Sequence, residues 1–208
     1  YGASGSNGGG YSIAIGYDSQ QDVTTGYSNE CVGHGSLSNL TTGTSNVCMG
    51  RSTLGALTTG TNNVTMGYLA GQYCSTGSSN TLLGSEAARD ITTGSNNVLI
   101  GRDVGLAAFG GEVDLTTGSN NIVIGWRGQV SATDVSNEIT LGNSSITKFR
   151  VPGINFVIKD TTATDNYVLT VDANGEAGWE AAAGGGGVSS DAQGNTIGGT
   201  GAGASFSG

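Results

Sequence analysis

Thr-Thr-Gly recurs along this chain at a fixed interval, ending at Gly26, Gly43, Gly60, Gly94 and Gly118, with Ser-Thr-Gly in its place at Gly77. A second glycine closes an apolar triplet at Gly16, Gly33, Gly50, Gly67, Gly84, Gly101, Gly125 and Gly142. Both series advance by one constant step, from Gly16 to Gly33 and from Gly26 to Gly43. Both also slip by seven at the same place, so one unit carries a seven-residue insertion between Gly101 and Gly118. Chance does not make two registers slip together. A unit as short as the stretch from Gly16 to Gly33 cannot hold a helix pair or a propeller blade. It suits one turn of a parallel β-solenoid, in which each coil lies on the last.

The triplets predict the strands. One residue before each closing glycine stand Ile15, Val32, Met49, Met66, Leu83, Ile100, Ile124 and Leu141; three before it stand Ile13, Glu30, Val47, Val64, Thr81, Val98, Ile122 and Ile139. Residues two apart on a strand share a face. These two columns are expected to point inward, joined by a third ten residues before the glycine: Val23, Leu40, Leu57, Cys74, Ile91 and Leu115. The middle of the triplet (Ala14, Cys31, Cys48, Thr65, Leu82, Leu99, Val123, Thr140) is then left facing outward. Six of those eight are small or apolar, so Ala14, Cys31, Cys48, Leu82, Leu99 and Val123 are expected to pack against another chain. Glycines are expected at the corners. The paired Asn residues of the SNN segments are expected to serve turns, with stacked amide ladders as the alternative.

Composition narrows the class. Glycine contributes 39 residues and proline one, without the strict third-residue glycine of collagen. The net charge of −9 and seven scattered Lys and Arg argue against nucleic acid. No apolar run approaches the length of about 18 residues that marks a spanning helix, so no membrane insertion is expected. The chain opens at Tyr1, without a signal, and reads as part of something longer. The expected organisation is a glycine-rich lead-in over 1–10 and solenoid repeats over 11–150. A small β cap or adaptor over 151–181 and a glycine-rich linker or start of a next segment over 182–208 follow. Within the cap, Asp172-Ala173-Asn174-Gly175 is expected to turn a hairpin before Trp179.

Chemistry is sparse. His34 is the only histidine and follows a closing glycine, a surface position, so no triad is expected. Three cysteines with no CxxC pair argue against zinc. Cys31 and Cys48 share a phase on adjacent coils: a disulfide is conceivable, inert buried thiols are favoured, and Cys74 is expected in the core. Asp172, Asn174 and Glu176 loosely suggest a calcium loop but lack its full pattern, so a turn is preferred. Asn39, Asn63 and Asn143 head glycosylation sequons that are expected to be silent. No catalytic, cofactor or metal residue is assigned. The candidate receptor or glycan contacts are the stripe following each closing glycine: Tyr17, His34, Arg51, Tyr68, Arg102 and Trp126. The inserted segment 106–114 is a candidate projecting loop.

TTGSNNVLIG (92–101) and TTGSNNIVIG (116–125) resemble the repeats of phage tail-fibre proteins. Ala14-Ile15-Gly16 is similar to the triplet of trimeric autotransporter adhesin heads. Residues 137–158 with 168–181 resemble the module that follows such repeats in fibres of phages of marine cyanobacteria. The resemblance implies a left-handed parallel β-roll, a homotrimer, and attachment to a host-surface polysaccharide or protein. The expected function is therefore a non-enzymatic shaft of a virion fibre, with other virion subunits as further partners. The alternative is a cellular adhesin or self-assembling extracellular filament. A Thr-ladder ice binder and a depolymerase are less favoured readings.

Overall fold

In a computed structural model, residues 10–107 and 113–150 are described in full, and 167–171, 177–181, 189–190 and 196–197 by their strand pairing. The fold is all-β. Eight strands of three residues each follow the triplets: β1 (Ile13–Ile15), β2 (Glu30–Val32), β3 (Val47–Met49), β4 (Val64–Met66), β5 (Thr81–Leu83), β6 (Val98–Ile100), β7 (Ile122–Ile124) and β8 (Ile139–Leu141). They form one parallel sheet in sequence order, joined by about seven solenoid turns. The register is that of the repeat, with Val47 beside Val64 and Leu82 beside Leu99. A second unit, 150–208, holds β9 (Tyr167–Val171) antiparallel to β10 (Ala177–Ala181), and β11 (Ser189–Ser190) antiparallel to β12 (Thr196–Ile197). The strand pair flanking the predicted hairpin is thus present. Its turn at 172–175 lies outside the described residues, as does the suggested calcium loop.

The strand faces are the reverse of the expectation. The middle residue of each triplet points into the coil: Cys31, Leu82, Leu99 and Val123 are fully buried within the single chain, and Cys48 and Thr65 are 1 % exposed. Ala14, at the end of the sheet, is half-buried. Cys31, Cys48, Leu82, Leu99 and Val123 therefore cannot pack against another chain. The flanking columns face out instead, Val64 at 42 % and Met66 at 49 % exposed. Alternation assigns residues to shared faces without saying which face is inside, and a choice wrong by one residue inverts the whole set. An all-apolar triplet offers no polar contrast to decide it.

Interior volume does decide it. Facing the middle column is the residue four after each closing glycine from Gly33 to Gly101: Leu37, Leu54, Gly71, Ala88 and Gly105. Cys31 and Cys48 sit in coils that carry Leu37 and Leu54, whereas Leu82 and Leu99 sit near Ala88 and Gly105. A Cβ added at Gly71 would lie 2.7 Å from Leu82 Cδ1 and 2.8 Å from Leu54 Cδ2. Small is set against large, which keeps a narrow interior at close-packed density. The third column behaves as predicted: Leu40, Leu57, Cys74, Ile91 and Leu115 are fully buried.

The turns hold the coils in register. At Gly67 (φ +142°) an added Cβ would run into the Gly84 carbonyl oxygen, so the closing glycine is required by both conformation and space. Gly60 of Thr-Thr-Gly is required by close approach alone, against the Gly77 carbonyl and Leu57. The first hydroxyl of each Thr pair donates to the next coil, as Thr41 Oγ1 does to the Thr58 carbonyl at 3.0 Å. The second, such as Thr59, is exposed.

The two Asn residues of SNN divide the roles that the sequence left open. The first takes left-handed backbone at the surface, as Asn62 (φ 59°) and Asn96 (φ 59°) do. The second is fully buried and builds a ladder through Asn29, Asn46, Asn63, Asn80, Asn97 and Asn121. Asn63 Nδ2 donates to Asn46 Oδ1 at 3.0 Å and to the Gly77 carbonyl at 3.0 Å. Its own Oδ1 accepts from the Asn80 backbone N–H at 2.9 Å and Asn80 Nδ2 at 3.2 Å. Ser12 and Glu138 occupy the two ends of the ladder: Asn29 N–H donates to Ser12 Oγ, and Glu138 N–H to Asn121 Oδ1. Replacing a rung strands several buried polar groups, each costing about 1–3 kcal/mol. Asn63→Ala is expected to lower unfolding free energy by roughly 3 kcal/mol or more, and Asn62→Gly to change it by less than about 0.5 kcal/mol, in denaturant melts.

Candidate functional surfaces

Two surfaces are built by the repeat. The first is the outer face of the parallel sheet, formed by the two columns that flank the buried one. Fourteen of its 16 side chains are apolar, Glu30 and Thr81 being the exceptions. Eleven of these are between 37 % and 69 % exposed, from Ile122 to Ile139, and Leu83, Val98 and Ile100 are half-buried. The patch is contiguous because each strand pairs in register with the next. A contiguous exposed apolar patch rimmed by polar residues is the mark of an interaction surface.

The second is the stripe after the closing glycines. Tyr17, His34, Arg51, Tyr68, Arg102 and Trp126 are all exposed, as the repeat predicts. Vertical stacking brings some of them into pairs. The Tyr17 and His34 rings lie 5.4 Å apart at 24°, and the Arg51 guanidinium sits 5.8 Å from the Tyr68 ring centroid. Trp126 pairs with Arg127, the next residue along, at 5.6 Å, and Arg102 with Asp103 at 3.3 Å. The stripe is therefore a set of local pairs rather than one continuous band, with Ser85 interrupting it and Asn143 following its last member.

His34 also lines a groove with Asp18, Ser38 and Ser52. Among the described residues no side-chain hydrogen bond joins the His34 imidazole to any of the three; Ser52 N–H donates to the His34 backbone carbonyl at 2.8 Å, and Ser38 Oγ to the Gly55 carbonyl at 3.2 Å. Among the described residues, too, no group of three or more His, Cys, Asp or Glu side chains is gathered for a metal ion, and no helix is long and apolar enough to cross a membrane. The insertion leaves the coil at Gly105 and rejoins it at Leu115, whose N–H donates to the Gly105 carbonyl at 3.0 Å. Residues 108–112, its middle, lie outside the described set.

The three thiols are free and buried. Cys31 and Cys48 are register partners on β2 and β3. Contact with Cys48 lowers the pKa of Cys31, while burial and the Cys31 contact raise that of Cys48 well above the usual thiol range. Cys74 is pushed up to about 11 by burial. A thiol whose folded pKa is raised holds its proton longer when folded, so the fold is at full strength below pH 9 and weakens as pH rises through 11. In urea melts, the wild type is expected to lose about 2–3 kcal/mol more than Cys74→Val across that interval.

No protein family, no curated protein and no solved structure matches this chain.

Proposed function

We propose that this chain is a structural segment of an extracellular fibre, a shaft built from three copies packed through their parallel sheets, that attaches a virion to its host surface. The observation that carries the reading is the exposed apolar face of the eight-stranded sheet. Parallel sheets are ordinarily covered on both sides. Here one side covers the core of the coil, and the other offers Ile13, Ile15, Val47, Met49, Val64, Met66, Ile122 and Ile124 to solvent. A surface repeating at the strand spacing of about 4.8 Å is matched best by another surface of the same rise. A copy of the same chain has that rise, and cyclic symmetry closes the contact without leaving an open edge. Three copies, and the virion setting, rest on the resemblance of the repeats to tail-fibre shafts and adhesin heads. A solenoid of near-identical coils transmits force along its axis and has little need of a deep enclosed site, which fits a shaft better than a catalyst.

The reading is tested by sedimentation of the wild type beside Val64→Lys combined with Met66→Glu. Both positions are exposed in the single chain, so the change should spare the coil. The wild type is expected at three times 20.6 kDa and the variant as a folded single chain with an unchanged circular dichroism spectrum. A wild type that sediments as one chain at tens of micromolar, or a variant that still assembles, overturns the assembly. Failure of the wild type to adhere to host cells or to appear in purified particles overturns the attachment role.

A further inference from the structure

A groove of about 380 Å³ lies in the turns that follow β1, β2, β3 and β4, outside the apolar sheet face. Its volume falls within the range of small-ligand sites. Asp18 and Gln21 border it from the first coil, His34 and Asn39 from the second, Gln72 and Tyr73 from the fourth. The third coil makes the depression. In the register where its neighbours carry Gln21, Ser38 and Gln72 it has Gly55, and where they carry Asn39 and Tyr73 it has Ala56. Those two small residues, with Gly35 and Ser52, leave the space open.

The geometry points to this groove as a binding site for a neutral oligosaccharide. Three amides, Gln21, Asn39 and Gln72, each offer a donor and an acceptor, which is the pairing a sugar hydroxyl requires. Asp18 adds an acceptor, and Tyr73, 52 % exposed, adds an aromatic ring with apolar faces. Among the described residues no lysine or arginine lines the groove. Arg89 on the next coil is held by Glu86 at 2.7 Å and Asp90 at 3.1 Å. A phosphate or sulfate would thus meet Asp18 without a lysine or arginine to compensate it, on a chain of net charge −9. The span from the first coil to the fourth is three strand spacings, about 14 Å, which gives room for a short oligosaccharide. Of the exposed stripe after the closing glycines, only His34 belongs to this site.

The inference rests on the attachment reading for its biological sense, and its test is separable from that reading. The full chain is titrated calorimetrically with oligosaccharides from dextran, mannan and galactan, and with dextran sulfate as the charged control. Gly55→Gln fills the groove with the side chain the fold already accepts at Gln21 and Gln72. The added Cβ at Gly55 would meet nothing closer than 3.6 Å, so the coil should be undisturbed, which a melting curve verifies. At least one neutral oligosaccharide is expected to bind, with affinity reduced about tenfold or more by Gly55→Gln and also reduced by Tyr73→Ala. Absence of binding to every neutral probe, tighter binding of dextran sulfate, or full affinity in Gly55→Gln overturns the site. Host-cell adhesion is measured in parallel. Adhesion that survives in Gly55→Gln leaves the attachment reading standing and removes the groove from it. Oligosaccharide binding without adhesion of the wild type does the reverse.

Discussion

In-register stacking of one coil on the next is the constraint from which the other features of this fold follow. Triplets, turns and corners give backbone hydrogen bonds to the coil above or below, as Gly84 N–H does to the Met66 carbonyl and Asn62 N–H to that of Thr44. Non-glycine residues are held at positive φ all along the coils by this arrangement, among them Leu37 and Leu54, which a free turn would not tolerate. Such conformations persist where the surroundings over-determine them, and here the same inter-coil bonds recur from turn to turn. The buried Asn ladder is the side-chain counterpart: it satisfies carbonyls that a tight corner would otherwise leave unpaired inside the coil.

Stacking also turns each position of the repeat into a column, so a surface property at one position becomes a surface property of the whole solenoid. Apolar residues on both sides of the buried strand residue give a long apolar face rather than scattered exposed side chains. Small residues on one coil among larger ones give a groove of defined length. Assembly and ligand contact can therefore occupy different columns of the same repeat unit, the strand for one and the following turn for the other. Both functional readings share this logic and depend on different side chains.

The architecture was legible because its signal is repetition. The spacing of the closing glycines places all eight triplet strands, their parallel order and the single insertion, and none of that needs knowledge of packing. The exposed stripe from Tyr17 to Trp126 was legible for the same reason. The groove was not, since it depends on Gly55 and Ala56 being smaller than their counterparts one repeat away, a contrast visible only once coils are laid over one another. The inward column was legible at Leu40 and Ile91, where an apolar residue stands among polar neighbours, and misassigned in the triplets, half of which are apolar throughout. A signal was present: Cys31 and Cys48 share coils with Leu37 and Leu54, while Leu82 and Leu99 share theirs with Ala88 and Gly105. Inverse sizes at two positions six residues apart mark a shared interior.

By itself, then, the sequence determined the coil length, the strand positions, the glycine corners and the coil that carries the insertion, because these follow from local periodicity and backbone conformation. Which face of each strand is buried, which Asn of each pair turns and which one forms the ladder, and where the surface opens into a groove were decided only in three dimensions. Those outcomes depend on whether side chains from separate parts of a coil, or from different coils, fill one narrow space, and volume matching of that kind leaves no trace in the alternation of a single strand.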